Sequence, residues 1–106
     1  MHNSALNKKQ MKILKKAQAG TFESSDIIIL IEPVTENTGR KLEIASNVML
    51  QYGEMLTNLI NKVLDNYNIK DIHLIAKDKG ALEPTIIARL ETAIERALNQ
   101  QKGTLA

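Results

Sequence analysis

Asp26-Ile-Ile-Ile-Leu-Ile-Glu-Pro33 is the segment that most narrows what this chain can become. Five consecutive aliphatic residues, four of them isoleucine, lie between two acids and are closed by proline. The run is too short for a free-standing helix, its β-branched side chains favour extended backbone, and proline ends hydrogen-bonded pairing. It reads as a strand with both faces partly covered, so the rest of the chain must supply that cover.

Thr35-Glu-Asn-Thr-Gly-Arg40 has the asparagine and glycine of a reversing loop. Lys41-Leu-Glu-Ile-Ala-Ser46 then alternates, with Leu42 and Ile44 on one face and Lys41 and Glu43 on the other. These two strands are expected to pair as an antiparallel hairpin. From Tyr52 the apolar positions fall at Tyr52, Met55, Leu56, Leu59, Ile60, Val63, Leu64 and Tyr67, one stripe along a helix, with Ser46 or Asn47 as candidate N-cap. Leu59 and Ile60 sit centrally in that stripe, and Asn61 beside them is expected to tolerate alanine.

Asn66 to Lys70 ends the helix, and Asp71-Ile-His-Leu-Ile-Ala76 alternates as a third strand, with Ile72, Leu74 and Ala76 on one face and His73 and Ile75 on the other. Asp78-Lys-Gly-Ala-Leu82 turns the chain. Pro84 suits the first turn of a second helix, striped by Ile87, Leu90, Ala93 or Ile94, Ala97 and Leu98. The order strand, strand, helix, strand, helix predicts an α+β two-layer sandwich: a small three-stranded sheet with two helices on one face. If the third strand runs parallel to the second, the helix between them makes a right-handed crossover, skipping over the first strand.

A chain of 106 residues has room for one core. Aromatics are only 3% of it, so that core is aliphatic. Residues 1–16 read as a flexible basic leader that can include residues foreign to the natural chain, with Met11 as a natural start; 17–99 read as the domain and 100–106 as a frayed end. Five of the 14 basic side chains precede the first acid, Glu23, leaving nine against 12 acids beyond, a net −3. A basic tail on an acidic body leaves nucleic-acid contact open, although the scarcity of aromatics disfavours base stacking. Cysteine is absent, which excludes disulfides, thiolate metal sites and a cysteine nucleophile. No stretch is long and apolar enough to span a bilayer or serve as a signal peptide, and a cytoplasmic location is expected.

The chain offers little chemistry of its own. His2 lies in the leader and His73 stands alone in a strand, so neither has the neighbours of a triad or a metal site. Single glycines at 20, 39, 53, 80 and 103 assemble no phosphate-binding loop. Glu23 and Asp26 flank Ser24 and Ser25 and read as solvated carboxylates, not an acid/base pair. Met49 and Met55 are assigned to packing. What remains is Gly20-Thr-Phe-Glu-Ser-Ser-Asp26, which delivers two serines to the mouth of the first strand. A hydroxyl at such a junction can be exposed on loop backbone while the strand anchors it, a fitting place for covalent attachment.

Ala17-Gln-Ala-Gly-Thr-Phe-Glu-Ser-Ser-Asp26, followed by the isoleucine strand, resembles the prosthetic-group segment of the citrate lyase acyl carrier (gamma chain) family, which usually reads Ala-Gly-Thr-Leu-Glu-Ser-Ser/Gly-Asp. Asp78-Lys-Gly-Ala-Leu82 and Arg89-Leu-Glu91 resemble that family's second and third patches in the same order, with Val63-Leu-Asp-Asn-Tyr-Asn-Ile69 fitting ahead of them. The similarity runs from about Met11 to Leu98. Phe22 replaces the usual leucine, and Glu83-Pro84 departs from a frequent Asp-Cys.

The resemblance implies a non-catalytic carrier subunit. Ser24, the first serine of the pair, would hold a 2'-(5''-phosphoribosyl)-3'-dephospho-CoA arm through a phosphodiester, with Ser25 at the variable position beside it. The arm's thiol would carry acetyl and citryl thioesters between the alpha and beta subunits while citrate is cleaved to acetate and oxaloacetate, and a dedicated transferase would install the arm. Two other readings stay open. One is the carrier of malonate decarboxylase, which uses the same arm on a related scaffold. The other, of a different class, is a small nucleic-acid-binding module.

Overall fold

The computed structural model describes residues 10–46 and 50–99. Four strands and two helices follow in the order β1 (Ala17–Gly20), β2 (Ile27–Glu32), β3 (Arg40–Ser46), α1 (Leu50–Asn66), β4 (Ile72–Asp78) and α2 (Glu83–Ala97). The α+β class is as expected, with one strand more. The extra strand, Ala17-Gln-Ala-Gly20, contains no β-branched residue and gave no strand signal of its own. It is strand because it pairs antiparallel with β2, Ala19 opposite Ile29 and Gly20 opposite Ile28.

Strand order is β1-β2-β4-β3, with β2 antiparallel to β4 and β3 parallel to β4. The expected hairpin between β2 and β3 does not form, because β4 lies between them: Ala76 faces Ile29 on one side and Ile44 on the other. Burial explains the choice. Ile72, Leu74 and Ala76 of β4 are fully buried, whereas β3 is half-exposed along its length and carries Lys41 and Glu43 outward, as an edge strand should. The helix α1 therefore joins two adjacent parallel strands and skips over none.

Both helices cover one face of the sheet. Ile27, Ile29 and Ile31 of β2 and Ile72, Leu74 and Ala76 of β4 form one cluster with Leu56, Ile60, Val63 and Leu64 of α1 and Ile86, Leu90, Ala93, Ile94 and Ala97 of α2. Each large aliphatic side chain removed from water in this layer stabilises the fold by roughly 1.5–3 kcal/mol. The stripe of α1 is narrower than expected, since Met55 is 47% exposed and Leu59 only partly buried. On α2 the inward residue of the first turns is Ile86, not Ile87. Pro84 occupies the first turn of α2 as expected.

Packing begins ahead of β1. Met11 pairs with Ile69, Ile13 is buried, and the Leu14 N–H donates to the Ala97 carbonyl at 2.9 Å, taking up an acceptor left open at the C-terminal end of α2. Residues 10–16 thus lie against the domain, where the sequence placed a flexible leader up to residue 16. Arg40, at the start of β3, donates to the Ile69 carbonyl, the Asn61 side chain and Asp65, tying β3 to the end of α1. Asn61, expected to be indifferent, is one of its acceptors. Ser46 closes β3 with its hydroxyl on Asp78 at 3.1 Å. The expectations for His2, Asn47 and Met49, for residues 1–9 and for residues 100–106 fall outside the described residues.

Candidate functional site

The Ser24 segment lies at one end of the sheet, where β1 stops, β2 begins, and the parallel pair β3 and β4 both end. Residues 21–26 form a hairpin loop between β1 and β2. Gly20 makes that loop possible: its φ is +96°, and a Cβ there would lie 1.8 Å from the Ile27 carbonyl oxygen. No other residue type fits so close to the facing strand.

Within the loop, the Asp26 N–H donates to the Glu23 carbonyl at 3.2 Å, so Ser24 and Ser25 are the two central residues of a tight turn. Ser25 has φ +65° at the third position, a conformation for which glycine is the usual occupant. The Ser/Gly variability in the motif that this segment resembles has a physical reason there. Both serines are exposed. Alternation along an extended segment, which would turn them to opposite faces, does not apply to a turn; their backbones differ instead. The Ser25 N–H is held by the Lys79 carbonyl at 2.8 Å, while Ser24 stands at the outer corner.

Asp26 is the anchor, not a solvated carboxylate. Only 9% exposed, it receives both Arg89 Nε at 3.0 Å and Arg89 Nη2 at 2.9 Å, the Thr21 hydroxyl at 2.7 Å and the Ile27 N–H at 2.7 Å. The fork-shaped Arg89 contact is the strong, orientation-fixing kind of carboxylate hydrogen bond. It holds the Asp26 carboxyl far below the usual range, aided by Thr21 and the Ile27 N–H. Thr21 Oγ1 also accepts the Glu23 N–H at 3.2 Å, so a chain of bonds runs from the loop backbone to Asp26 and on to α2.

The loop after β4 completes the site. The Lys79 N–H donates to the Asp26 carbonyl at 2.9 Å, and the buried Asp78 accepts from the Ala81 N–H at 3.0 Å and from Ser46. Tyr52 of α1 reaches the Ala81 carbonyl at 3.1 Å, and burial beside Asp78 and Glu83 pushes its phenol upward. The two patches far downstream in sequence, at Asp78 and at Arg89, therefore meet the Ser24 loop in space. Composition and periodicity could not reveal Arg89, which lies 63 residues from its partner. His73 is elsewhere, on the face of the sheet opposite the two described helices, with Nε2 2.6 Å from Glu43 Oε2. The described residues hold no cluster of three or more metal-ligating side chains, and no helix among them is long and apolar enough to cross a membrane.

Comparison with known proteins decides the family. A 44% identical relative from Serratia proteamaculans, aligned over 82% of this chain and 84% of its own length, is a citrate lyase acyl carrier protein, as is one from Halothermothrix orenii at 41% identity over 82% and 90%. This chain belongs to the citrate lyase acyl carrier protein family. As a member, it is a carrier protein of a family whose members bear a covalently attached prosthetic group. The family model for malonate decarboxylase delta subunit (MdcD), an ACP model, also matches residues 14–97. A solved Pseudomonas malonate decarboxylase hetero-tetramer in complex with malonate contains a chain of the same fold, with a TM-score of 0.65 at 20% identity over 83% of this chain and 89% of that one.

Proposed function

We propose that this protein is the acyl carrier subunit of a citrate lyase, with Ser24 the attachment point of a phosphoribosyl-dephospho-CoA arm and no catalysis of its own. The observation that carries the reading is the loop geometry: an exposed Ser24 at the outer corner of a turn whose next two residues are fixed from behind by Lys79 and Arg89. A transferase needs a hydroxyl that protrudes yet keeps one register, and this arrangement provides both. When bound, the arm supplies a terminal thiol for acyl groups, which the cysteine-free chain lacks.

The residues present fit such a group. Ser24 opens to solvent, and Lys77 and Lys79 are exposed close to the loop, where cationic side chains favour a phosphodiester. The chain's own work is confinement: a tethered acyl group meets each partner at an effective concentration that short links raise to about millimolar. The partners are the alpha and beta subunits and the arm-installing transferase. Leu82, 74% exposed at the start of α2, and the shallow surface lined by Pro84, Ile87 and Ala88 on α2 offer apolar area for one of them.

The test is reconstitution. Carrier-free citrate lyase alpha and beta subunits should cleave citrate on addition of the loaded chain, and should stay inactive with the unloaded chain or Ser24→Ala. Activity restored by unloaded Ser24→Ala would overturn the reading. The matching family model keeps a malonate decarboxylase carrier as the second reading, and restoration of that enzyme's subunits, but not of citrate lyase, would favour it.

A further inference from the structure

Phe22 is the chain's sole phenylalanine, and it stands 59% exposed two residues before Ser24. It is not part of the core cluster, and residues 21–25 around it are all exposed. The Lys77 ammonium lies over its ring, 5.9 Å from the centroid. Lys77 projects from β4 on the sheet face that no described helix covers, opposite Ile28, and exposed Lys79 is tied to the Ser24 loop through its carbonyl, which accepts the Ser25 N–H. An exposed aromatic ring with one lysine over it and a second exposed on the adjoining loop, next to a modifiable hydroxyl, has the makeup of a nucleotide seat: a stacking surface for a base and cations for its phosphates.

Resting on the attachment reading above, we propose that Phe22, with Lys77 and Lys79, seats the adenosine portion of the arm on Ser24. The chemistry of the arm places that nucleoside within range. Its phosphodiester joins a ribose that is linked directly to the adenosine ribose, whereas the pantetheine and thiol lie beyond the pyrophosphate. Two residues of chain span at most about 7 Å, so the Phe22 backbone is within reach of a base held by a phosphate and two linked riboses on the attachment oxygen. Adenine on the ring leaves the thiol end free to travel while the charged, rigid end stays against the carrier. The lysines meet the phosphates, with Arg89 unavailable because Asp26 holds it. Glu23, exposed in the same loop, carries the same charge as the phosphates and contributes nothing to holding them.

Proton NMR of the loaded, full-length chain tests this, with intact mass recorded on the same samples. The expected result is adenine H2 and H8 resonances displaced upfield by the ring and in contact with the Phe22 protons. In Phe22→Leu, which keeps an apolar side chain and should load equally by mass, the displacement should disappear. In Lys77→Gln it should weaken, and more so as salt is added. A fully loaded wild-type chain whose adenine resonances match those of free dephospho-CoA would overturn the seat and leave the attachment intact. No added mass on the wild type with an active transferase would overturn the attachment reading, and the seat with it. Displacement that persists in Phe22→Leu would assign the adenine to another surface and overturn the role of Phe22.

Discussion

At the residue scale, three side chains and one missing side chain hold the Ser24 loop. Gly20→Ala would drive a methyl group against the Ile27 carbonyl at a positive φ, and should destabilise by at least about 2 kcal/mol. Gly53→Ala, where an added Cβ meets nothing within 4 Å inside α1, should instead gain roughly 0.5–1 kcal/mol from helix propensity. Urea midpoints of the two variants check the contrast, and a stable Gly20→Ala would contradict the tight hairpin. Asp26 makes a second prediction. Its carboxyl is held below the usual range by Arg89, then Thr21, so its contribution is complete above the ordinary carboxylate pKa and is lost as pH falls through the depressed one. Asp71, held down by the N–H groups of Asn37 and Gly39, acts in the same sense. Denaturation midpoints measured downward from pH 5 should fall in the wild type and fall less steeply in Asp26→Asn, which begins lower. Parallel curves would contradict the stabilising Asp26–Arg89 pair.

At the element scale, what was legible in the sequence separates from what was not. Alternation identified β4 and its inward set, Ile72, Leu74 and Ala76, because a central strand facing one core writes its burial into every second residue. It could not show that β4 enters between β2 and β3, since order within a sheet depends on pairings that no local pattern records. Ala17-Gln-Ala-Gly20 was invisible as a strand, having only its partner to define it. Helix phase was read to within one residue. Ile87 and Met55 fell inside a plausible stripe, but Ile86 is the residue buried where α2 packs on β1 and β2, and Met55 is exposed. The corrected phase makes a ranking. Ile60→Ala, at a fully buried site, should cost about 2–5 kcal/mol, half-buried Leu59→Ala less, and Met55→Ala under about 0.5. Asn61→Ala should cost about 1 kcal/mol, because its oxygen accepts from Arg40 Nη1 at 3.0 Å. Equal losses at Met55 and Ile60 in denaturant midpoints would mean that the phase of α1 is wrong.

At the scale of the whole molecule, a sheet covered on one side sets the division of labour. The covered side holds the core that fixes β2 and α2; Asp26 directly precedes β2 and Arg89 sits on α2, so the rigidity behind Ser24 comes from the same packing that stabilises the fold. The end of the sheet where β3 and β4 finish gathers the loops, and the three sequence patches that resemble the carrier family converge there. Residue chemistry alone found the serines as candidates; only the resemblance singled out Ser24, and the turn adds a physical distinction between it and Ser25. The most direct measurement is therefore where the arm goes. After coexpression with the precursor synthase and the transferase, intact-mass and peptide spectra should place one phosphoribosyl-dephospho-CoA group on Ser24, with Ser25→Gly loaded like the wild type and Ser24→Ala folded but unmodified. A modified Ser24→Ala chain, or an arm mapped to Ser25 or Thr21, would contradict the account.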